Sequence, residues 1–209
     1  METKVLHIRS GRVTDHRLSE FVRWMKEGRV VAFPTDTVYG LGTSAFSAEG
    51  MSAIYRLKGR QASKPLPVLV ESLKQAETLV SYWPSETRVL AEKFWPGPLT
   101  LILQASELGR MLTGGKTTIG VRIPKHPIPL RLIRLGGFPI ASTSANASGK
   151  PAAVRGCQVL SLFGGRVSGI LDAGRLSLGK ESTILDGTAS PPRLLRPGAL
   201  SAKELSRVL

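Results

Sequence analysis

Small hydroxyl side chains cluster just after an apolar stretch in the second half of the chain. Residues 139–150 read PIASTSANASGK, which places four Ser or Thr, one Asn, one Gly and one Lys between Ala141 and Lys150. Hydroxyls and backbone amides at a strand end can donate hydrogen bonds to the oxygens of a nucleotide phosphate. The same residue types also form ordinary polar turns. The segment by itself therefore predicts either a nucleotide site or a solvent-exposed turn.

Two earlier segments have a similar composition beside short apolar stretches. In FPTDTVYGLG, Thr35 and Thr37 offer hydroxyls, while the two glycines allow a close approach of the backbone. In KGRQASKPLP, the cations Lys58, Arg60 and Lys64 fall within seven residues. These like charges repel one another, so a bound anion would stabilise the loop. A Gly-rich turn and a solvated basic loop are the alternative interpretations.

A third segment, TIGVRIPKHP, combines an apolar face with a polar one. Because side chains alternate along a strand, Thr118, Gly120 and Arg122 share one face, and the apolar residues between them share the other. An Arg beside a Gly within a strand suits the bidentate capture of a carboxylate or a phosphate.

Two later segments repeat this pattern and complete the candidate site. KESTILD places Ser182 and Thr183 at the start of one strand, and LLRPG places Arg196 at the end of another. The chain has no Ser-His-Asp order and no close carboxylate pair, so it offers no candidate nucleophile and base for hydrolysis. Together the segments predict a cleft whose hydroxyls and cations orient a phosphorylated substrate, while proton transfer is left to the reactants.

Two other kinds of site are not supported by the sequence. GRMLTGGKTT looks like a P-loop, but counting back from Lys116 puts Arg110 where the first glycine is required, and the following residues predict a strand. No G-x-G-x-x-G follows a strand. The three histidines, at positions 7, 16 and 126, are widely spaced and Cys157 is the single cysteine, so we expect no metal bound by protein side chains and no disulfide.

Charge is the unusual feature of the composition. The 209 residues include 29 Lys and Arg against 15 Asp and Glu, a net charge of +14. This excess favours nucleotides, RNA or both as partners, although a generally basic surface would give the same number. No apolar run is long enough to span a bilayer and the first residues form no signal core, so we expect a cytoplasmic protein with no membrane partner. The length predicts one domain, residues 1–209.

Alternating helix and strand patterns predict an α/β fold, a mixed parallel and antiparallel sheet flanked by helices. The predicted helices cover residues 16–28, 47–60, 72–83, 84–95, 127–135, 153–163 and 201–209. The predicted strands cover residues 29–35, 65–70, 99–105, 117–124, 138–144, 167–173, 182–187 and 192–198.

Six ordered motifs resemble the YrdC-like family, and more narrowly its threonylcarbamoyl-adenylate synthases. They are PTDTVYGLG, KGRxxSKPLPVLV, WPGPLTLIL, TIGVRIP, STSANASGKP and LLRPG, within residues 29–198. The resemblance implies a twisted mixed sheet with a deep, positively charged cavity. It also implies that L-threonine, bicarbonate (or CO2) and ATP give threonylcarbamoyl-AMP and pyrophosphate. Downstream transferase proteins would then pass the threonylcarbamoyl group to the adenosine next to the anticodon of ANN-decoding tRNAs.

The resemblance also assigns residues to the two substrates. It implies a threonine site made of Thr37 with Thr35 close by, Arg122 on the carboxylate, and Ser182. It implies an ATP site made of Lys58, Arg60, Lys64, Thr118, Ser142, Ser144, Asn146 and Arg196. Arg60 and Lys64 take the catalytic role here, because with Mg2+ carried by ATP they would offset the charge that builds up during phosphoryl transfer.

Some features depart from the family pattern or leave alternatives open. Leu69 and Val154 are apolar where some longer relatives carry a polar ligand. The chain ends soon after LLRPG, so we expect no extra C-terminal domain and a more open cavity. A carbamoyl-adenylating module of the same family and a non-catalytic RNA-binding module, with direct binding of RNA or tRNA, are the alternative functions. Low aromatic content, 6%, argues against RNA binding by base stacking.

Overall fold

The computed structural model describes residues 2–8, 13–59, 61 and 65–208, and their strands form one mixed sheet. The strands are β1 (Lys4–His7), β2 (Val31–Phe33), β3 (Gly40–Ser44), β4 (Val68–Leu69), β5 (Val80–Tyr82), β6 (Leu99–Ala105), β7 (Thr118–Arg122), β8 (Ile140–Ser144), β9 (Gly169–Asp172), β10 (Thr183–Asp186) and β11 (Arg193–Arg196). They lie in the order β1-β9-β2-β3-β8-β4-β7-β6-β10-β11, and β5 also pairs with β6.

Helices cover the sheet, which confirms the predicted α/β class with parallel and antiparallel pairs. Neighbours such as β4 and β7 run parallel, whereas β6 and β7 run antiparallel. The helices of the described residues are α1 (Asp15–Lys26), α2 (Ala48–Lys58), α3 (Leu73–Leu79), α4 (Ser85–Phe94), α5 (Glu107–Leu112), α6 (Pro127–Gly136), α7 (Gly156–Phe163) and α8 (Ala202–Ser206). In this part of the chain no helix has the length and apolar character needed to cross a membrane.

Apolar residues pack on both faces of the sheet. In β2, Val31 and Phe33 belong to one buried cluster and Ala32 belongs to another, because successive side chains point to opposite faces. The first cluster is covered by α1 and α6, which bury apolar residues such as Phe21 and Leu132. The central strands, buried from both sides, therefore form a rigid base for residues at their ends.

Four elements differ from the sequence-based expectation. The strands β1 and β3 and the helix α5 were not predicted, and the helix predicted over 72–83 ends at Leu79. Residues Val80–Tyr82 form β5 instead, because they pair with Gln104 and Ala105 of β6. The sequence of β3, GLGTS, contains two glycines and therefore shows no apolar strand pattern. Glycine is needed at position 42 because a Cβ there would lie 2.7 Å from the Phe33 ring. Close packing against β2 therefore requires glycine there.

A histidine caps α6 and makes stability depend on pH. His126 Nδ1 accepts a hydrogen bond from the backbone N–H of Ile128 at 3.2 Å, which requires that this nitrogen carry no proton. Burial lowers the pKa of His126 from its ordinary value of 6.5, and the nearby Asp36 carboxylate acts in the opposite direction with a smaller effect. The fold thus disfavours protonated His126. The contribution of neutral His126 to the free energy of unfolding is complete above the ordinary pKa of histidine. That contribution is lost as the pH falls through the lowered pKa that His126 has in the folded protein.

We therefore expect His126→Asn to reduce the pH dependence of unfolding. Asn caps a helix without titrating, so the urea midpoint of the variant should fall less than that of the original chain between about pH 7.5 and 5.5. The measurement is urea unfolding followed by circular dichroism at several pH values. Parallel midpoint-against-pH curves for the two proteins would contradict this role of His126.

Candidate active site

A cavity of about 370 Å³ opens over the central strands of the sheet. The loop between β2 and β3 forms one wall, and residues of β4, β6, β7, β8, β10 and β11 form most of the remainder. The lining residues are Thr35, Thr37, Val38, Tyr39, Gly40, Pro65, Pro67, Leu69, Thr100, Ile102, Thr118, Gly120, Arg122, Ser142, Thr143, Ser144, Glu181, Ser182, Ile184 and Arg196.

Most of the residues predicted from the sequence meet at this cavity. Thr35, Thr37, Thr118, Arg122, Ser142, Ser144, Ser182 and Arg196 all line it. Lys58 and Asn146 do not line it but contact Ser144, which does. Arg60 and Lys64 lie outside the described residues, so their assignment stays a prediction. The alternating pattern of β7 is confirmed, because Thr118, Gly120 and Arg122 face the cavity while its apolar residues enter the core.

Arg122 lies in a frame of three acceptors at the end of β7. Its Nε donates to the carbonyl of Gly97 at 2.9 Å, its Nη1 to Thr37 Oγ1 at 3.2 Å and its Nη2 to Asp36 Oδ1 at 2.6 Å. The Arg122 and Asp36 side chains are only 7% and 9% exposed. A guanidinium has five N–H groups, and contacts with the described residues use three of them. Two N–H groups are therefore left for a ligand.

Thr35 and Thr37 form a hydroxyl chain beside this arginine. The hydroxyl of Thr35 donates to the carbonyl of Val38 at 2.6 Å, so the 2.8 Å bond between the two hydroxyls must be donated by Thr37. Thr35 Oγ1 also accepts from the backbone N–H of Thr37 at 3.1 Å, which fills its remaining capacity. Thr37 Oγ1 keeps one lone pair that can accept from a ligand. Thr35 therefore positions Thr37.

Arg196 organises a second group of contacts at the cavity. Its Nη2 donates to the carbonyl of Ser182 at 2.8 Å and its Nη1 lies 3.1 Å from Glu181 Oε2. Ser182 Oγ lies 3.2 Å from Arg196 Nη2 and 2.9 Å from Thr100 Oγ1. These contacts join β6, β10 and β11 at the cavity.

The segment PIASTSANASGK contributes a buried amide and the backbone that holds a lysine. Lys58, at the end of α2, donates from Nζ to the carbonyl of Ser144 at 2.5 Å and to Asn146 Oδ1 at 2.6 Å. Ser144 Oγ also donates to Asn146 Oδ1 at 2.8 Å, and Asn146 Nδ2 donates to the carbonyl of Lys150. The structure divides the segment between the two interpretations: Ser142 and Asn146 are buried, with Lys58 bonded to Asn146, whereas residues 147–150 form an exposed turn.

Burial and a neighbouring cation both act on Arg122. Removal from solvent lowers the pKa of its guanidinium, the pair with Asp36 raises it, and Arg196 lowers it further by like-charge repulsion. The two arginines of the cavity are thus close enough to repel each other, and an anion between them would relieve that repulsion. Each arginine also has a carboxylate partner within the described residues. Whether the cavity is strongly basic therefore depends on Arg60 and Lys64, and that property stays a prediction.

Three residues that hold the predicted side chains in place were not themselves predicted as site residues. Asp36 pairs with Arg122, Glu181 pairs with Arg196, and Thr100 contacts Ser182. Thr100 could have been found from alternation, because Leu99 and Leu101 on either side of it are fully buried. The partner of Asp36 lies 86 residues away, and no local pattern indicates it.

The two positions that depart from the family pattern behave differently. Leu69 lines the cavity and supplies an apolar surface there. Val154 is absent from the lining and instead forms backbone hydrogen bonds with Gln158 and Leu176.

The donor set fits an anionic ligand better than a metal ion. Among the residues that the structure describes, no three His, Cys, Asp or Glu side chains converge to hold a metal. Arginine N–H groups and hydroxyls from six different strands or loops face one concavity instead. Such a site can bind and orient carboxylate and phosphoryl groups through charge-assisted hydrogen bonds.

Fold and site together define a class: an α/β domain whose mixed sheet carries a cavity lined by hydroxyls and arginines. A family model named Sua5/YciO/YrdC, with the description telomere recombination, matches residues 23–198. The chain belongs to this family, which confirms the resemblance found in the sequence.

Curated relatives and a solved structure match almost the whole chain. Threonylcarbamoyl-AMP synthase of Pyrococcus abyssi is 43% identical over 208 residues, 99% of this chain and 61% of that protein. The enzyme of the same name from Bacillus subtilis is 40% identical over 197 residues, 93% of this chain and 57% of that protein. The crystal structure of Pyrococcus abyssi Sua5 complexed with L-threonine superposes with a TM-score of 0.93 at 43% identity, covering 99% of this chain and 61% of that one. The chain thus spans about three fifths of the length of these relatives.

The buried ion pair allows a test by double substitution. Asp36→Ala should lower the free energy of unfolding by about 3–5 kcal/mol, because it leaves the Arg122 guanidinium buried without its counter-charge. Adding Arg122→Met should restore part of that loss, since an apolar side chain of similar length removes the unpaired charge. Urea unfolding of the two single variants and the double variant measures the coupling. Strictly additive losses would show that the pair is not energetically coupled.

Proposed function

We propose that this chain synthesises threonylcarbamoyl-AMP and pyrophosphate from L-threonine, bicarbonate or CO2, and ATP, as a threonylcarbamoyladenylate synthase. The observation that carries the proposal is the convergence of two arginines, Arg122 and Arg196, on one hydroxyl-lined cavity. The names of the 40–43% identical relatives and the L-threonine in the related crystal structure support it.

L-Threonine would bind on the Arg122 side of the cavity. The two remaining N–H groups of Arg122 suit a carboxylate, and the open lone pair of Thr37 suits an amine or hydroxyl donor. Ser182, bonded to Thr100, would provide a further hydroxyl contact. Thr35 would act through Thr37.

ATP would occupy the rest of the cavity. Arg196, Thr118, Ser142 and Ser144 face the space that its phosphates and ribose need, with Lys58 and Asn146 behind them. Arg60 and Lys64 would approach the triphosphate from the loop after α2. Mg2+ would enter with the triphosphate as part of the substrate, because hard cations prefer phosphate oxygens to the hydroxyls and arginines found here.

The reaction would proceed by positioning and charge stabilisation. The deprotonated threonine amine attacks CO2, forms the N–C bond and yields a carbamate with release of one proton. A carbamate oxygen then attacks the α-phosphorus of ATP, and the bond to the leaving pyrophosphate breaks. Arg60, Lys64 and the nucleotide-borne Mg2+ would stabilise the charge on the transferring phosphoryl group. The role of this chain is thus to hold two anions in reacting contact.

The product would serve tRNA modification. Downstream transferase proteins would pass the threonylcarbamoyl group to tRNA in the cytoplasm. Direct contact with RNA or tRNA stays part of the proposal because of the +14 net charge.

A product assay tests the proposal directly. Incubation of the chain with ATP, Mg2+, bicarbonate and L-threonine should give a threonylcarbamoyl-adenylate mass and stoichiometric pyrophosphate. Omitting L-threonine should abolish both, which separates this activity from carbamoyl adenylation and from RNA binding without turnover. Equal pyrophosphate release with and without L-threonine would refute the proposed function.

A single substitution tests the phosphate-binding loop. Arg60→Ala should reduce threonine-dependent pyrophosphate release about 100-fold or more, because one transition-state cation is lost, while the circular dichroism spectrum stays unchanged. Arg110→Ala is the matched control, since it removes an equal charge from the exposed surface of α5, outside the cavity lining. Undiminished turnover of Arg60→Ala would show that Arg60 is misassigned.

A further inference from the structure

Asp36 makes an ion pair unlike the others of the described residues. Each of the other nine ion pairs has at least one partner whose side chain is more than a third exposed, whereas Arg122 and Asp36 are 7% and 9% exposed. A buried ion pair adds little to stability compared with apolar packing. Its presence beside the cavity therefore needs another physical reason.

The hydrogen bonds of Asp36 leave one of its carboxylate oxygens unsatisfied, but they also leave N–H groups of Arg122 free to bind a ligand. One oxygen, Oδ1, accepts both from Arg122 Nη2 at 2.6 Å and from the backbone N–H of Lys125 at 3.1 Å. The other oxygen, Oδ2, is buried and has no hydrogen-bond partner within the described residues. A bidentate pair would satisfy both oxygens and would occupy a second N–H of the arginine. The observed single contact costs an unsatisfied buried acceptor and keeps that N–H open.

Three fixed points then determine where the open N–H groups point. Gly97, Thr37 and Asp36 hold Nε, Nη1 and Nη2 respectively, and they come from two loops on either side of β7. Of the three, Asp36 is the charged acceptor and makes the shortest contact. Lys125, just beyond β7, fixes the carboxylate in turn. The guanidinium plane is thereby set before any ligand arrives.

We infer that Asp36 is a positioning residue that orients Arg122 for a carboxylate ligand without saturating it. The inference rests on the proposed function, in which that ligand is L-threonine. Asp36 is absent from the cavity lining and acts through Arg122. Removing its charge should weaken recognition of the substrate carboxylate and leave phosphoryl transfer nearly unchanged.

The test compares Asp36→Asn with Asp186→Asn. Asn keeps an acceptor of the same size and avoids the cavity left by Ala, so the variant should fold. Asp186→Asn makes the same substitution in a carboxylate–arginine pair outside the cavity lining, with Arg193, and is the matched control. Initial rates of pyrophosphate release are measured against L-threonine at saturating ATP and bicarbonate, and against ATP at saturating L-threonine.

We expect Asp36→Asn to raise KM for L-threonine about 10-fold or more, as happens when a group that orients a ligand-binding residue is lost. Its kcat and its KM for ATP should stay within about threefold. Asp186→Asn should leave kcat and both KM values unchanged. If Asp36 only stabilised the fold, Asp36→Asn would reduce the fraction of active enzyme. The apparent kcat would then fall, while KM for L-threonine would stay constant. A fall in kcat with an unchanged KM for L-threonine overturns the inference.

Calorimetric titration separates this inference from the proposed function. L-Threonine and its carboxamide, which lacks the carboxylate charge, are titrated into the original chain and into Asp36→Asn. Preference for L-threonine over the carboxamide should be clear in the original chain and reduced about 10-fold in the variant. If this loss is seen but no threonylcarbamoyl-adenylate forms, the proposed function fails and the role of Asp36 stands. An equal preference in both proteins, or no L-threonine binding at all, overturns the role of Asp36.

Discussion

The buried pair of Arg122 and Asp36 is the interaction on which the site depends. An arginine buried at the end of a central strand is tolerated only because three acceptors hold it, and the carboxylate supplies the counter-charge. The acceptors also fix the side chain in one orientation. Arg122 can therefore meet a ligand without losing side-chain freedom at that moment, which lowers the entropic cost of binding. The arrangement lowers stability at a group that lines the cavity, because the buried Asp36 Oδ2 has no hydrogen-bond partner within the described residues.

The topology of the sheet explains how distant segments reach one cavity. In the sheet β4 lies between β8 and β7, and β6 lies between β7 and β10, so the segments that carry Ser144, Arg122 and Ser182 all contribute to one cavity. The loop between β2 and β3 covers them from one side, while β11 brings Arg196 from the other. Hydrogen bonds then join residues of different elements at the cavity, such as the bond from Lys58 of α2 to Asn146. The cavity is a property of strand order, which brings together residues more than 150 positions apart.

The chemistry of the lining limits what the cavity can catalyse. Its ionisable groups, within the described residues, are two arginines, Glu181 and the buried Tyr39, whose hydroxyl is engaged with Asp172 and the carbonyl of Gly174. Burial raises the pKa of Tyr39, so it is a poor acid at neutral pH. Such a site favours reactions between two bound anions, whose mutual repulsion the arginines offset and whose nucleophile needs little help from a base. Formation of a mixed anhydride from a carbamate and a nucleotide is a reaction of that type.

The sequence determined the fold class, the family and most of the polar residues that line the cavity. Strand alternation placed Thr118 and Arg122 on one face, and composition marked Ser142 and Ser144, because these patterns reflect local backbone geometry. Only the tertiary structure decided which groups contact one another. Asp36 is separated from Arg122 by 86 residues, and β5 is a strand only because β6 pairs with it. Long-range pairing of this kind depends on strand order and burial, which no local pattern encodes.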